Sequence, residues 1–598
     1  MSIKIDKVEL AQKINALEGL DNETKAQLLE LLHDRKKYGL VWEEHPEDVE
    51  ERLREELPVL VEDKSKAILS EDEGAPNHIL IEGDNLEALT TLSYTHEGKI
   101  DVIYIDPPYN TGNKDFVYND KFVDTEDEYR HSKWLSFMAK RLKIAKRLLS
   151  DKGVIFISID DNEVAQLKML CDDSRVFGEQ NFVAKFDWRK KTGANDAKDI
   201  AIVTESILLY AKNKSATLEN DIWHRDEDSI DKNRYRFTDE YVETRGRFYY
   251  DTLDRGGLQY SDSMNFGIVA PDGGIIFPNG RSSFVNDGWI WKWGKDKIKW
   301  GIENHFLEFV KSSKSKGSSF TIKYKVYEFV DNEGNIRRKS GRAFSNLITE
   351  PINQQGNEEM KKIFDGKTPF SNPKPLGLIQ YLFKTVTSNS SFILDFFAGS
   401  GTTLHATMQL NAEDGGHRKC ILVTNNENNI CEEVTYERNK RVISGYTTPK
   451  GEAVEGLHKN TLRYYRTGFV ARESSATAKR ELMYASADML CIKNDIYTEQ
   501  KQFGTLRLRK DVARYFADGN KGMLVIYNPD AIETIVAELK TMEVKTPIIT
   551  YIFSLNDYAM DADFEEVTDK VKLCALPAAI LNAYYKVLPK RKRKENTL

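Results

Sequence analysis

The residues of this sequence best suited to chemistry are Asp106, Pro107, Pro108 and Tyr109, which directly follow the apolar residues 102–105. An exocyclic amine on a planar ring has two N–H donors, and the Asp106 carboxylate and the Pro107 carbonyl can accept one each. The Tyr109 ring can stack on the face of the same ring. Because both N–H bonds are then held, the nitrogen lone pair stays available to attack a methyl group.

A buried strand has to position these four residues. Residues 102–105 are β-branched or aromatic and are bounded by breakers, which predicts a short strand. Pro107 and Pro108 cannot extend a sheet ladder and hold φ at about −65°. The chain therefore leaves the sheet in one stiff conformation at the carboxyl end of the strand, where open α/β sheets bind ligands. For these four residues alone, a proline-capped turn with a surface aspartate is the alternative interpretation.

A second ligand-binding pattern lies at residues 391–403, which are Ser-Phe-Ile-Leu-Asp-Phe-Phe-Ala-Gly-Ser-Gly-Thr-Thr. The pattern predicts a strand, a tight turn and a helix. Gly399 and Gly401 allow the backbone to approach a ligand closely, and Asp395 at the end of the strand can accept from a ligand ammonium. The turn lacks the Gly-Lys-Ser/Thr of a Walker A loop. It also lacks a complete dinucleotide fingerprint, which argues against a nicotinamide oxidoreductase.

Asn372 and Lys374 lie in the segment Phe-Ser-Asn-Pro-Lys-Pro, just before a predicted helix at residues 376–383. Pro375 suits the first turn of that helix. The amide of Asn372 and the ammonium of Lys374 can reach the carboxylate of a bound amino acid. We therefore count both among the candidate ligand-binding residues.

Alternating strands and helices predict an α/β fold with a mainly parallel sheet. Helices are expected at residues 132–149 and 164–170, and a further small α/β region from about residue 470 onward. The strands at 182–188 and 205–211 can form a hairpin that closes the sheet. Strands are predicted at residues 79–81, 102–105, 153–160, 182–188, 205–211, 391–395 and 419–424.

Residues 215–365 differ in character, because aromatic and basic residues interleave there with Gly, Ser and Asn. No regular helix is expected in this region. Phosphate contacts need cations, and base contacts need polar side chains on adaptable elements. The alternative is a β-rich insertion with a solvated basic rim. The candidate DNA contacts are Arg245, Arg247, Lys292, Lys295, Lys314 and Lys316.

Length and composition set the class of protein. The chain has 598 residues, of which 30% are charged and 40% hydrophobic, which is typical of a multidomain globular protein. Its five cysteines lack Cys-x-x-Cys spacing, so neither a zinc site nor a disulfide framework is expected. The scattered cysteines favour a reducing cytoplasm, and the sequence shows no membrane-spanning apolar run and no signal-peptide core. The net charge of −8 does not by itself indicate a nucleic-acid-binding protein.

Two motifs resemble those of amino-group DNA methyltransferases, most often of the N6-adenine kind. Asp-Pro-Pro-Tyr resembles their catalytic motif, and Asp-Phe-Phe-Ala-Gly-Ser-Gly resembles their S-adenosylmethionine motif. The catalytic motif comes first, which is the order of the beta class. Within that class the chain resembles the Mod subunit of type III restriction–modification systems. That resemblance extends to Ile-Glu-Gly-Asp-Asn-Leu-Glu-Ala-Leu, Tyr-Arg-His-Ser-Lys-Trp-Leu, the N-terminus and the C-terminal domain.

The resemblance implies a circularly permuted, Rossmann-like α/β sheet of the S-adenosylmethionine-dependent methyltransferases. Its catalytic half would be residues 76–214 and its cofactor-binding half residues 366–465. A target-recognition domain would be inserted between them at 215–365. A helical N-terminal region, 1–75, with helical spacing at Leu10, Ile14 and Leu17 and again at Val49, Leu53 and Leu57, would precede them. A small α/β domain for oligomerisation or partner contact, 466–598, would follow.

The resemblance also implies roles for individual residues. Catalysis would use Asp106, Pro107, Pro108 and Tyr109 on an adenine flipped out of the duplex, without a metal. Asp84 would accept from the adenine amine of the cofactor, although the same residue can serve simply as a helix N-cap. The residues expected to hold S-adenosylmethionine are Asp84, Asn372, Lys374, Asp395, Phe396, Ala398, Gly399, Ser400 and Gly401.

The expected function is site-specific adenine-N6 methylation of DNA, EC 2.1.1.72. Double-stranded DNA, a second copy of the chain and a Res helicase–nuclease subunit are the expected partners. One alternative is an N4-cytosine methyltransferase, although that motif more often starts with Ser. The other is a catalytically silent DNA-recognition subunit, against which the intact Asp-Pro-Pro-Tyr argues.

Overall fold

The computed structural model describes residues 42–112, 116–118, 121–124, 126–193, 199–257, 260–313, 315–337, 341–555 and 558–589. These residues form two compact units. The first contains the residues up to Ile222 and those from Ser345 onward, and the second is Trp223–Phe344. The helical segments predicted around Leu10, Ile14 and Leu17, and the candidate DNA contact Lys314, lie outside the described residues.

A ten-stranded sheet forms the centre of the first unit. Its order is β1-β10-β2-β9-β8-β3-β4-β6-β5-β7. In chain order the strands are β1 Glu56–Glu62, β2 Asn77–Glu82, β3 Ile100–Ile105, β4 Leu149–Ile159, β5 Phe182–Arg189, β6 Thr204–Ala211, β7 Leu347–Ile348, β8 Phe392–Asp395, β9 Lys419–Thr424 and β10 Thr461–Ala471.

Strands from both halves of the chain meet at β3 and β8. These two strands are parallel neighbours, with Val102 opposite Ile393 and Ile103 opposite Leu394. Strand β9 continues the parallel sheet on the other side of β8, and β4 continues it beyond β3. The predicted α/β fold, a circularly permuted Rossmann-like sheet, is therefore confirmed. Strands β5 and β6 form the predicted antiparallel hairpin.

Amphipathic helices cover this sheet. The longest, Arg130–Leu148, buries Trp134, Leu142 and Ala145 on its predicted apolar face. The other α-helices of this part of the first unit are Asp48–Glu55, Asn85–Thr95, Val164–Asp172, Lys214–Glu219, Asn353–Ile363, Leu376–Lys384, Thr402–Asp414 and Glu437–Ser444. A π-helix, Ile430–Tyr436, leads into the last of these.

The expectation of a helical N-terminal region is wrong for residues 56–62. The helix Asp48–Glu55 ends there, and β1 follows directly. β1 pairs antiparallel with β10 and buries Leu57, Val59 and Leu60. It is an edge strand, and edge strands tolerate a proline such as Pro58 because its missing N–H costs no ladder bond there.

The C-terminal α/β region is present as predicted and belongs to the first unit. The Tyr584 hydroxyl donates to the Pro58 carbonyl at 2.7 Å, which ties this region to the edge of the main sheet. Its five-stranded sheet has the spatial order Glu499–Gln500, Ala513–Asp518, Lys521–Ile526, Ile548–Phe553 and Val571–Leu576. Its helices are Ala476–Ala485, Ala487–Asn494, Ile532–Thr541 and Ala578–Tyr584.

The second unit is built on a three-stranded antiparallel sheet. Phe320–Tyr327 is its central strand, between Phe248–Thr252 and Leu307–Lys311. Short two-stranded pairs join Asp254–Gly256 to Trp289–Trp291, Ile268–Val269 to Ile275–Ile276, and Arg225–Asp226 to Arg342–Ala343.

The expectation that residues 215–365 contain no regular helix is wrong. The second unit contains the helix Lys295–Glu303, whose Ile298 and Gly301 are buried. A single turn, Val242–Arg245, is also helical, and Asn353–Ile363 belongs to the first unit. Several of the aromatic residues in this region form a core rather than a binding surface, since Trp291 and Trp293 are buried in it.

Candidate active site

Asp106 and Asp395 lie at the carboxyl ends of neighbouring parallel strands. Asp106 directly follows β3, and Asp395 is the last residue of β8. Burial raises the pKa of Asp395 to about 7, and the nearby charge of Asp106 adds to that rise. Hydrogen bonds from Thr403 and Phe397 oppose it. The two predicted motifs therefore meet at one edge of the sheet.

The Asp-Pro-Pro-Tyr corner is held by specific hydrogen bonds. The indole N–H of Trp134 donates to the Pro108 carbonyl at 2.7 Å. The Tyr109 hydroxyl donates to Asp106 Oδ1 at 2.7 Å. Pro107 is buried, whereas Asp106 stays partly accessible. The corner is consequently rigid, with its carboxylate at the accessible edge.

Lys374 lies against this corner. Its Nζ is 3.0 Å from Asp106 Oδ2 and donates to the Tyr109 hydroxyl at 2.9 Å. Burial would lower the pKa of Lys374, but the charges of Asp106 and Glu205 outweigh it and raise that pKa. The sequence analysis predicts that this ammonium binds the carboxylate of a bound amino acid. In the structure it pairs instead with the carboxylates of Asp106 and Glu205. Asn372 is exposed, with φ 54°.

Glu205 completes the cluster and was missed by sequence reasoning. It lies in β6, is only 8% exposed, and faces Lys374 at 3.4 Å and Lys190 at 3.0 Å. Burial would raise the pKa of Glu205, but the two lysines outweigh it and lower that pKa. The signal was present in the sequence, because an acid inside a buried strand requires a charged partner.

The glycine turn after β8 is shaped by its backbone. Gly399 has φ 47° and Gly401 has φ 74°, where Gly401 caps the helix Thr402–Asp414. A Cβ on Gly401 would lie 2.5 Å from Asn439 Nδ2, and one on Gly399 would lie 3.2 Å from the Phe370 ring. Close packing and left-handed backbone together require glycine at Gly401.

Hydrogen bonds within the turn fix its path. Asp395 accepts from the Phe397 N–H at 2.9 Å and from the Thr403 hydroxyl at 2.6 Å. The Ala398 N–H donates to the Val423 carbonyl of β9 at 3.1 Å. Phe396 is fully buried, and its carbonyl accepts from Asn85 Nδ2 at 3.2 Å.

Residues that follow β9 in the chain hydrogen-bond to the glycine turn and to the start of the next helix. The sequence analysis did not identify them. The Thr435 hydroxyl of the π-helix donates to the Gly399 carbonyl at 2.6 Å. The buried Arg438 donates to Thr402 Oγ1 at 2.6 Å, and Ser400 Oγ lies 2.9 Å from the same oxygen. Burial lowers the pKa of Arg438 to about 10. No local sequence pattern marks these contacts, since they depend on tertiary packing.

Asp84 serves as a helix N-cap. Its Oδ1 accepts from the Leu86 N–H at 2.7 Å, at the start of the helix Asn85–Thr95. Arg141 lies 3.7 Å from its other oxygen. The capping interpretation is confirmed, and a contact to the cofactor stays a prediction.

Asn110, the residue after the Asp-Pro-Pro-Tyr corner, is buried with φ 57°. Its Nδ2 donates to Glu163 Oε1 at 2.5 Å, and His131 Nδ1 lies 2.6 Å from the same oxygen. Burial raises the pKa of Glu163 to about 8. This cluster, also missed by sequence reasoning, anchors the chain as it leaves the corner.

Comparison with known proteins agrees with this geometry. A family model described as DNA methylase, of the N6/N4 type, matches residues 100–436. These residues include both the Asp-Pro-Pro-Tyr corner and the glycine turn. The chain belongs to this DNA methylase family.

Three relatives place the methylase more closely. The type III Mod subunit StyLTI of Salmonella typhimurium is 34% identical over 62% of this chain and 55% of its own length. The EcoPI Mod subunit of Escherichia phage P1 is 34% identical over 63% and 62%. The type II methyltransferase M.KpnI of Klebsiella pneumoniae is 34% identical over 61% and 84%. The methylase thus spans less than two thirds of these two Mod subunits.

The five candidate DNA contacts that the structure describes differ in their surroundings. The Arg245 guanidinium lies over the Tyr241 ring at 3.8 Å and donates to the Asn304 carbonyl at 2.8 Å. Lys292 lies 3.2 Å from Asp251. Of the candidate DNA contacts that the structure describes, Arg247, Lys295 and Lys316 are exposed.

Two features are absent from the residues that the structure describes. No helix among them combines the length and the apolar character that crossing a bilayer requires. Within the same described ranges, no three His, Cys, Asp or Glu side chains are grouped to hold a metal ion.

Proposed function

We propose that this methylase is a site-specific DNA adenine-N6 methyltransferase and the modification and recognition subunit of a type III restriction–modification system. The observation that carries the proposal is the meeting of the Asp106 corner and the Gly399–Gly401 turn at the ends of β3 and β8. An acceptor for an amine and a cradle for a ligand lie side by side there. That arrangement suits transfer of a small group between two bound molecules.

The glycine turn fits S-adenosylmethionine as the methyl donor. Gly399 and Gly401 give the turn its left-handed backbone and lie just beyond the carboxyl end of β8, where open α/β sheets bind ligands. The buried Asp395 is the acid at the same edge and suits the ammonium of the donor. When bound, the donor supplies a methyl group on a strongly electrophilic sulfonium. The protein then contributes chiefly by positioning.

The Asp-Pro-Pro-Tyr corner would orient the adenine N6 amine. Asp106 accepts one N–H and the Pro107 carbonyl accepts the other, which directs the nitrogen lone pair toward the methyl group. The Tyr109 ring stacks on the flipped base, and its hydroxyl is held by Asp106 and Lys374. An adenine must leave the duplex to reach this edge, since its amine is otherwise paired.

The remaining assignments follow from similarity to the Mod subunits. We propose double-stranded DNA as substrate, with the second unit, Trp223–Phe344, reading the site. We also propose a cytoplasmic homodimer that associates with a Res helicase–nuclease subunit. Coelution with a Res subunit, and the mass of the purified methylase in solution, test these assemblies directly.

Nucleoside analysis tests the reaction itself. The purified protein is incubated with DNA from a methylation-deficient host and methyl-labelled S-adenosylmethionine, and the DNA is digested. We expect label in N6-methyladenine. Label in N4-methylcytosine would favour the second candidate, because a cytosine amine offers the same two N–H donors and the family includes both reactions. DNA binding without label would indicate a silent recognition subunit.

A further inference from the structure

The catalytic carboxylate of the methylase has both oxygens engaged in the structure. Asp106 Oδ1 accepts from the Tyr109 hydroxyl at 2.7 Å, and Oδ2 lies 3.0 Å from Lys374 Nζ. A target amine needs one of these oxygens. Lys374 is buried, so water cannot easily replace the carboxylate that it would lose. Breaking such a pair with no substitute partner is costly.

Glu205 is the substitute partner that the structure provides. Its Oε2 lies 3.4 Å from Lys374 Nζ, against 3.0 Å for Asp106. The same oxygen accepts from the Tyr109 hydroxyl at 3.3 Å, against 2.7 Å for Asp106. Both donors of the catalytic carboxylate therefore have Glu205 within reach, a few tenths of an ångström further away.

We propose that Glu205 is a positioning residue that takes over Lys374 and the Tyr109 hydroxyl when the target amine enters, so that Asp106 is released to bind that amine. The inference rests on the proposed methyl transfer and deepens it. Glu205 does not touch the substrate. It stabilises the form of the site in which Asp106 is free.

The surroundings of Glu205 suit this role better than the role of a proton acceptor. Lys190 holds its other oxygen, Oε1, at 3.0 Å and stays in place whichever donor Oε2 accepts from. Lys190 and Lys374 together keep the carboxylate ionised, since they lower its pKa against the effect of burial. A permanently charged Glu205 keeps Lys374 paired in both arrangements.

Other titratable groups face this cluster from the neighbouring strands. Asp160, which follows β4, interacts electrostatically with both Lys190 and Glu205. Tyr104 of β3 interacts with Asp106, Asp395 and Glu205. The charged groups in direct contact are two carboxylates and two lysines, so the cluster is balanced. Among these four groups, loss of Glu205 leaves Asp106 as the one carboxylate that pairs with Lys374.

The test compares Glu205→Gln with Lys190→Met in the full-length protein. Both changes break the same buried ion pair, but only Glu205→Gln removes the negative charge that pairs with Lys374. We expect Glu205→Gln to slow single-turnover methyl transfer to methylation-deficient DNA by at least about tenfold. Cofactor affinity and DNA affinity should be nearly unchanged. Lys190→Met should retain most of the rate, because its Glu205 can still accept from Lys374.

A pH profile separates release of Asp106 from a general loss of structure. In Glu205→Gln, a carboxylate that raises the pKa of Lys374 is missing, so Lys374 loses its proton at lower pH than in the parent protein. Neutral Lys374 can still donate to Asp106 but no longer pairs with its charge, so it holds that carboxylate more weakly. The residual rate of Glu205→Gln should therefore climb toward alkaline pH more steeply than that of the parent.

The outcomes are distinguishable. If the parent protein transfers no methyl group to DNA, the proposed function fails. If the parent is active and Glu205→Gln matches it, or both variants lose activity equally at every pH, the inference about Glu205 is wrong. Should Glu205→Gln fail to bind cofactor, Glu205→Asp keeps the charge on a shorter side chain. It should show an intermediate rate, and a parent-like rate in that variant would overturn the inference.

Discussion

Asp101 and Phe392 join the two halves of the methylase, because Asp101 Oδ2 accepts the backbone N–H of Phe392 at 2.9 Å. Asp101 lies near the start of β3, and Phe392 is the first residue of β8. Ser150 donates to the other oxygen of Asp101 at 3.2 Å. This contact helps fix the register of two strands from distant parts of the sequence. As a consequence, Asp106 and Asp395 leave the sheet at the same edge.

Asp106→Ala tests the proposed catalytic role of the Asp106 carboxylate. We expect methyl transfer to fall by roughly 100-fold or more, because the amine loses an oriented acceptor in the transition state. Cofactor affinity should stay near the parent value, since Asp395 and the glycine turn are untouched. Rates with labelled S-adenosylmethionine and affinities by calorimetry check this. Asp151→Ala, at an aspartate whose side chain is 92% exposed, is the matched control. Full activity of Asp106→Ala would contradict the assignment.

Gly401→Ala tests whether the turn needs glycine. The left-handed backbone costs an L-residue roughly 1–2 kcal/mol, and the new Cβ would also lie 2.5 Å from Asn439 Nδ2. We expect a lower melting temperature and weaker cofactor binding. Gly415→Ala is the control, because Gly415 has φ 70° at the other end of the same helix and nothing within 4 Å of its Cβ. Equal losses in both variants would show that the close packing at Gly401 is unimportant.

Much of this site follows from local sequence. The stiff corner at Asp106 and the glycine turn could be predicted because each follows a short buried strand and is fixed by nearby residues. Their meeting at β3 and β8 was expected from the resemblance to beta-class methyltransferases, which implies a circularly permuted sheet. The Lys374–Glu205 pair could not be predicted, since each partner is a single charge whose neighbour is set by the packing of distant strands.

Two errors have a clear physical origin. Val49, Leu53 and Leu57 keep helical spacing, which predicts a helix, whereas residues 56–62 form strand β1. Only the pairing of β1 with β10 as an edge strand resolves this conflict. In the second unit, the helix Lys295–Glu303 could not be predicted because most of its residues are polar or basic. Its buried residues, Ile298 and Gly301, are too few and too small to give a clear amphipathic pattern.

The raised pKa of Asp395 makes stability depend on pH. Its pKa is about 7 in the folded protein and 3.8 ordinarily, so the fold holds a proton that the unfolded chain releases above pH about 4. This contribution is complete below pH about 4 and is lost as pH rises through about 7. In the ligand-free protein, we expect Asp395→Asn to flatten the fall in melting temperature between pH about 4 and about 7. An unchanged pH dependence would contradict the buried, protonated state.

Substitutions in the second unit should distinguish basic residues that stabilise the fold from those that contact DNA. Arg245→Ala should lower the melting temperature, since its guanidinium packs on Tyr241 and donates to Asn304. Arg247→Ala, at an exposed arginine, should instead weaken DNA binding and reduce the salt slope of the affinity by about 1. Thermal melts and fluorescence-anisotropy titrations at several salt concentrations check both. An unchanged salt slope for Arg247→Ala would remove Arg247 from the set of DNA contacts.

The central claim is that the Asp106 corner and the Gly399–Gly401 turn form one pocket for methyl transfer. A crystal structure with a non-reactive S-adenosylmethionine analogue measures this most directly. We expect the amino-acid part of the analogue near Asp395 and the glycine turn, with the methyl-donating position directed at the Asp106 carboxylate. An analogue bound elsewhere, or one whose methyl-donating position faces away from Asp106, would contradict the account.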